Sequence, residues 1–431
     1  MQGIATVPLE PRLQRRYVML VQSHLRSAPE LAAGVAALPG AGTVFAATQG
    51  AWRFLNNERV TLSALVAPLR QVGVERCRGL TSEFVLLVHD WSKLGFDDAK
   101  SDLVQLTHDR DIGYELTTAL LVSADDGAPL APMEMHLRTA RGMLSTREPA
   151  PRVQGHLEQV LPTMRASRSW GLDQPIVHVI DREADSVDHY RRWDAAGELF
   201  LVRADDRRVK WRENPALLSE IVPVLRQQRT FACCGTAEYQ GRTAQLWVAQ
   251  TSVVLHRPAK KNVKGKKSDK PGRPLALRLI IVQVRNGAGK VLAQWFLLTN
   301  APDTIDAAHL ARCYYWRWRI ESFFKLLKSH GQQLEHWQQQ TGPAIARRLL
   351  VAAMACVTVW QLEADQSPPA EELKLLLVRL SGRQTKRRKP VTTPALLAGL
   401  WTLLSILDLL EQYRVPHLRQ LAKQLPFRLT G

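Results

Sequence analysis

The sequence predicts an α/β protein whose core is interrupted by a strand-rich insertion and flanked by helical regions at both ends. Three observations carry that expectation. Two nearly continuous apolar runs, FVLLVH at 84–89 and IVHVI at 176–180, each stop at an aspartate, as strands buried on both faces of a sheet do. Strand patterns and helical stretches interleave between about 83 and 205, which marks an α/β core. From about 206 to 300 the texture is almost wholly β, and helical periodicity resumes only at about 304.

Taken in order, residues 1–75 alternate short helical patterns with small-residue breaks such as ALPGAG and read as a helical N-terminal domain. Residues 76–205 form the first part of the core, with strands in EFVLLVHD, GYELTTALLVSADDG, APMEMHLR, PIVHVIDREAD and ELFLVRA. Residues 206–301 are the β-rich insertion, with strands in RTFACCGTAEY, AQLWVAQTSVVLH, LALRLIIVQV and VLAQWFLLTN. Within it RNGAGK (285–290) lacks the full phosphate-loop spacing, and Val291 stands where Ser or Thr is needed, so a hairpin turn is expected. HRPAKKNVKGKKSDKPGRP (256–274) reads as a mobile loop between two strands. Residues 302–362 complete the core with helix, and 363–431 form a helical C-terminal region after the basic linker RQTKRRKP (383–390). The runs LLVAAMACVTVW (349–360) and ALLAGLWTLLSIL (395–407) are too short in themselves to span a bilayer, so buried helices and no membrane partner are expected.

Composition narrows the function. A content of 45% hydrophobic residues supplies sizeable cores. Lys and Arg total 58 against 40 acids, a formal charge of +18, so the surface attracts polyanions and nucleic acid leads the candidates. Five cysteines with no CxxC pair fit neither a disulfide framework nor a zinc site, and MQGIATVPLEPRLQRR lacks an apolar signal core. A cytoplasmic protein is expected.

The chemistry concentrates in YYWRWRIESFFKLLK (314–328). On a helix, at about 100° per residue, Tyr314, Arg317, Glu321 and Lys328 share one face. Trp316, Ile320, Phe323, Phe324 and Leu327 make the neighbouring core stripe. Taken alone, Arg317 and Glu321 would be an exposed ion pair worth a few tenths of a kcal/mol. Asp90 and Asp181 each end an apolar strand, where functional sites of open α/β sheets gather, although such acids also cap turns. Both acids, on adjacent strands and joined by Glu321, would make a hard oxygen donor set for Mg²⁺ or Mn²⁺. Two ions about 4 Å apart could activate a water and stabilise a leaving oxygen at a phosphodiester, with the neighbouring cations holding the DNA backbone. Asp181, Asp185 and His189, spaced by four, are a weaker metal set because Asp181 belongs to a strand end.

The spacing Tyr-x2-Arg-x3-Glu-x6-Lys, met by Tyr314, Arg317, Glu321 and Lys328, closely resembles the signature of bacterial insertion-sequence family four, the cut-and-paste DDE transposases. DREAD (181–185) resembles their second catalytic motif and VHDWSKL, around Asp90, the first. WFLLTNAP resembles the segment whose tryptophan, here Trp295, stacks on a base flipped from the transposon end. ATQGAWRFLNN, with Arg53, is similar to the N-terminal DNA-binding region, and HRPAKK, with Lys260 and Lys261, to the inserted β subdomain. The resemblance implies an RNase H-like catalytic core interrupted by that insertion, with Asp90, Asp181 and Glu321 as catalytic and metal-binding acids. It also implies Mg²⁺ or Mn²⁺, two ions, as cofactor, and double-stranded DNA, both transposon ends and target, as partner. Tyr314, Arg317, Lys325 and Lys328 would hold DNA near the cut, and a homodimer would join two ends. The implied reaction is end nicking, hairpin formation and opening, and strand transfer. An RNase H-like endonuclease without strand transfer and an inactive DNA-binding inhibitor are the alternatives. Two features depart from the family: Trp-Ser-Lys follows Asp90, and the C-terminal region lacks a glycine-rich helical pattern.

Overall fold

The computed structural model describes residues 6–26, 44–96, 100–106, 110–150, 155–256, 259–263, 266–270, 272–383 and 391–424. Three helices come first: α1 (Pro11–Arg26), α2 (Val44–Leu55) and α3 (Leu62–Cys77). α3 begins at a true cap, where the Thr61 hydroxyl accepts from the Ala64 amide at 3.1 Å. Then come β1 (Val85–Leu94), β2 (Val104–Gln105), β3 (Ile112–Val122), β4 (Pro129–Thr139) and β5 (Gly142–Ser145). After α4 (His156–Ser167) follow β6 (Ile176–Ile180), α5 (Val187–Ala195) and β7 (Leu199–Ala204).

These strands lie in the order β5-β4-β3-β1-β6-β7. β1 runs antiparallel to β3 but parallel to β6, and β6 is parallel to β7. The two parallel strands are the two apolar runs, and their residues Val85, Leu86, Leu87, Val88, Val177, Val179 and Ile180 are fully buried. Because β1 and β6 run the same way, with His89 opposite Ile180, the next residue of each, Asp90 and Asp181, emerges at one shared edge. The expectation that Asp90 ends its strand is corrected. β1 continues to Leu94, paired with β3 from Asp90 opposite Thr118 to Leu94 opposite Tyr114; only the pairing with β6 stops. Asp90 therefore sits where one side of the strand opens.

The chain continues through β8 (Arg208–Trp211), β9 (Asn214–Leu217), α6 (Leu218–Gln227), β10 (Ala232–Tyr239) and β11 (Arg242–Leu255), then β12 (Ala259–Val263), β13 (Lys266–Lys270), β14 (Leu275–Arg285) and β15 (Val291–Thr299). β15 pairs with β7, and the order β7-β15-β14-β11-β8-β9 extends the first strands into one 13-stranded sheet. Alternate residues of β7 divide between two cores, Leu201 in one and Phe200 and Val202 in the other. The basic stretch read as a loop contains an antiparallel two-stranded ribbon, β12 with β13. Between β14 and β15 the chain makes the expected turn, with the Asn286 side chain accepting from the Ala288 and Lys290 amides.

The remaining elements are helices: α7 (Ala307–Tyr315), α8 (Trp318–Leu327), α9 (Gly342–Ala364), α10 (Pro368–Leu380), α11 (Thr393–Gln412) and α12 (Val415–Ala422). α9 is a central rod that packs against α1, α2, α3, α8 and α11, tying the N-terminal helices to the late part of the chain. Both apolar runs lie in longer helices than their apolar lengths suggest. At 23 and 20 residues, α9 and α11 are long and apolar enough to cross a bilayer by length and composition. α9 is buried as expected, with 83% of its most apolar window inside the protein, but only 28% of the α11 window is. α11 buries Leu396, Leu397 and Trp401 and leaves Ile406, Leu407, Leu409 and Leu410 exposed. The linker residues 384–390 lie outside the described residues.

Candidate active site

The segment 314–328 is not one continuous helix. α7 stops at Tyr315 and α8 starts at Trp318, with a tight turn between them in which the Arg317 amide donates to the Tyr314 carbonyl at 3.1 Å and the Arg319 amide to that of Trp316 at 2.9 Å. The stripe Ile320, Phe323, Phe324 and Leu327 is buried as its spacing requires, anchoring α8. The turn swings Tyr314 inward: it is 3% exposed, and its hydroxyl donates to Asp181 at 3.2 Å. Lys328 leaves the helix at its C-terminal cap, donates to the Lys93 carbonyl on β1 and pairs with Glu335 at 3.4 Å. Tyr314, Arg317 and Glu321 thus face the acids, and Lys328 faces the far end of β1.

Arg317 joins all three acids. Its Nη1 lies 3.1 Å from Asp90, and its Nη2 lies 2.7 Å from Glu321 and 3.8 Å from Asp181. The expected exposed ion pair is instead a buried hub, the Arg317 side chain being 6% exposed. Burial works to lower the Arg317 pKa, but Tyr314, Asp181 and Asp90 around it and the bond to Glu321 raise it on balance. Burial raises the Asp90 carboxyl to about 6, against the opposing pull of Arg317 and the Trp91 amide. Asp181 also accepts from the Arg182 amide at 2.6 Å, so it caps the short turn Arg182–Ala184 while facing Arg317.

Among the described residues no three His, Cys, Asp or Glu side chains stand close enough together to hold a metal ion. The donor chemistry nevertheless suits Mg²⁺ or Mn²⁺, because three carboxylates gather around one guanidinium and two of them, Asp181 and Glu321, are 37% and 29% exposed. The set Asp181, Asp185 and His189 is not assembled: Asp185 turns to Tyr190 and Arg207, and His189 to the Ala184 carbonyl and Glu158. Beside the acids, His156 stacks on Trp91 at 3.8 Å and lies between Glu115 at 3.2 Å and Glu183 at 3.1 Å.

A cavity of about 730 Å³ opens next to this centre, lined by Trp295, Tyr315, Trp316, Trp318, Arg203 and the tip of the β10–β11 hairpin. Trp295 connects the two, its ring 5.9 Å from that of Tyr314. Tyr315 pins the hairpin: its hydroxyl donates to the Glu238 carbonyl at 3.0 Å and accepts from the Glu238 amide at 3.1 Å. Trp318 is 51% exposed, off the core stripe. Sequence reasoning missed Tyr315 and Trp318 as site residues, although three aromatics beyond the core stripe within YYWRWR were a legible signal. Arg203, Tyr239 and Gln240 reach the cavity only through tertiary structure. Among the other sequence candidates, Lys325 is exposed on α8. Arg53, exposed on α2, meets Gln49 at 3.5 Å rather than the acids. Lys260 and Lys261 lie on β12, opposite Asp269 and Ser268.

Residues 149–357 match the family described as the transposase DDE domain, a segment that includes Asp181, Trp295, Arg317 and Glu321 and begins after Asp90. This match supports a DDE transposase domain within the chain, a kind of domain that in general uses divalent metal ions. No curated protein matches the chain. Among solved structures, the piggyBac transposase in a synaptic complex with hairpin DNA, determined by cryo-EM, is similar with a TM-score of 0.37 and 10% identity, over 96% of this chain and 76% of that one. That likeness is too distant to transfer fold or function.

Proposed function

We propose that this protein is a metal-dependent, cut-and-paste transposase of the hairpin-forming kind, with Asp90, Asp181 and Glu321 as its catalytic acids. The observation that carries the reading is the convergence of these acids, from two parallel strands and a late helix, beside an aromatic cavity. Bound there by the three carboxylates, Mg²⁺ or Mn²⁺ would activate water at the scissile phosphate and stabilise the leaving oxygen.

The protein's own groups do the rest. Arg317 and Lys328 hold the DNA phosphates, and Lys325 adds charge on the exposed side of α8. Tyr314 orients Asp181 through its hydroxyl. Trp295, in the cavity wall, offers an aromatic face to a base turned out of the duplex, replacing lost stacking worth about 1–3 kcal/mol. Displacing that base lets the freed 3′-hydroxyl reach the opposite strand and close a hairpin, which water then opens before strand transfer to target DNA. The core of β1, β3, β4, β6 and β7 is read as RNase H-like, with residues 1–75 and the 206–301 insertion as further DNA-binding parts and 363–431 as a dimerisation region. A bacterial cytoplasmic, nucleoid-associated protein acting as a pair on two transposon ends follows from the same reading.

The test is a donor plasmid carrying the inverted repeats that flank the gene, incubated with purified protein and Mg²⁺ or Mn²⁺. Hairpinned or joined products are expected; open breaks alone would leave a hydrolytic nuclease. Asp181→Ala abolishes cutting and retains end binding, and unchanged cleavage would remove this residue from the site.

A further inference from the structure

Arg278 and Arg347 make a contrast with Arg317. Buried Arg278 donates to the carbonyls of Ala301, Pro302 and Ile305 and to the Gln250 side chain, with Asp303 beside it, and half-buried Arg347 donates to the carbonyls of Val60 and Leu55. Those groups are fastened to the backbone. Arg317 is different: its guanidinium meets three carboxylates, bonding to Asp90 and Glu321 and lying 3.8 Å from Asp181. The face of Trp318 lies 5.3 Å from the guanidinium carbon, and that ring is half exposed.

A guanidinium in this position competes directly with a divalent ion. The bonds to Asp90 and Glu321 occupy carboxylate oxygens that an ion needs as ligands, and its positive charge repels an incoming cation in a poorly solvated site. The three carboxylates carry −3 and Arg317 returns +1, so the acids already have a partial counter-charge before any ion arrives. A phosphodiester is the group best suited to draw the arginine away, because guanidinium binds phosphate through paired, charge-assisted hydrogen bonds.

We infer that Arg317 is an exchangeable internal counter-cation that holds the acids in the free protein, so that DNA must engage it before the metal ions bind tightly. This rests on the transposase reading above and adds an order to it: DNA first, metal second. The consequence is a free enzyme that holds divalent ions weakly and carries little loaded, unpaired hydrolytic centre. By linkage, whatever factor DNA adds to metal affinity, metal adds to DNA affinity.

The experiment is a Mn²⁺ titration of the full chain followed by electron paramagnetic resonance of free Mn²⁺, with and without a pre-cleaved duplex of the gene's own terminal repeat. For the native protein the duplex tightens Mn²⁺ binding at least tenfold. Arg317→Gln binds Mn²⁺ without DNA at least tenfold more tightly than the native protein and gains little from adding it. Native protein that binds Mn²⁺ equally well with and without DNA overturns the inference, and this comparison needs no variant to fold. Asp181→Ala separates the two levels of claim. If it weakens Mn²⁺ binding while native protein and Arg317→Gln behave alike, only the role of Arg317 falls; if it leaves Mn²⁺ binding untouched in every state, the metal-site reading falls with it.

Discussion

Gly127→Ala tests whether the turn between β3 and β4 supports the aromatic cavity from outside. Gly127 has φ +74°, and a Cβ added there would overlap the Trp316 indole. Its carbonyl accepts from Arg319 Nε at 2.8 Å, and both Trp316 and Arg319 line the cavity. Two costs follow from the geometry. A side chain in the left-handed region costs about 1–2 kcal/mol, and forcing an indole out of a packed position costs about 1–3 kcal/mol. The stiffer unfolded chain of the variant offers no gain here, because alanine does not fit a positive φ. The sum is a loss of about 2–5 kcal/mol in urea unfolding, together with a hairpin yield that falls more than first-strand nicking, since Trp316 is pushed toward the space a displaced base would use. A variant within about 0.5 kcal/mol of the native protein, with normal hairpin yield, would refute both the turn conformation and its link to the cavity.

Three further outcomes follow from single features. Trp295→Ala should impair hairpin formation more than nicking, and equal losses in both steps would refute a base-stacking role. Tyr315→Phe removes two hydrogen bonds to the Glu238 backbone, worth about 1 kcal/mol, so hydrogen exchange at the Glu238 amide should quicken about fivefold; unchanged exchange would show that the hairpin is held otherwise. Stability should fall on acidification. Burial, helped by Arg348 and opposed by the Gln332 hydrogen bond, lowers His24 to about 3, so its stabilisation is complete above about pH 6.5 and is lost as the pH drops toward 3. At pH 5 that amounts to about 2 kcal/mol from His24. Buried His89 and His178, also lowered, act in the same direction. His156 acts in the other: burial works against its charge, but Glu115 and Glu183 raise it overall. Urea midpoints at pH 7 and pH 5 measure the effect, and a His24→Gln variant with an undiminished slope would remove His24 as a source.

The sequence by itself determined the strands, because β1 and β6 are buried on both faces and their apolar runs are continuous over a few residues. It determined the anchoring stripe of α8 in the same way, since Ile320, Phe323, Phe324 and Leu327 repeat with the helical period. These signals are local, and local patterns are readable without partners. Only the tertiary structure decided that β1 runs on past Asp90 against β3, that β15 joins β7 and makes the insertion part of one sheet, and that α7 and α8 break at Trp316 and Arg317. It alone showed one guanidinium meeting three acids, Asp90 lying 227 residues away along the chain. Strand pairing and charge clustering depend on which distant surfaces come together, and hydrophobic periodicity carries no record of that choice.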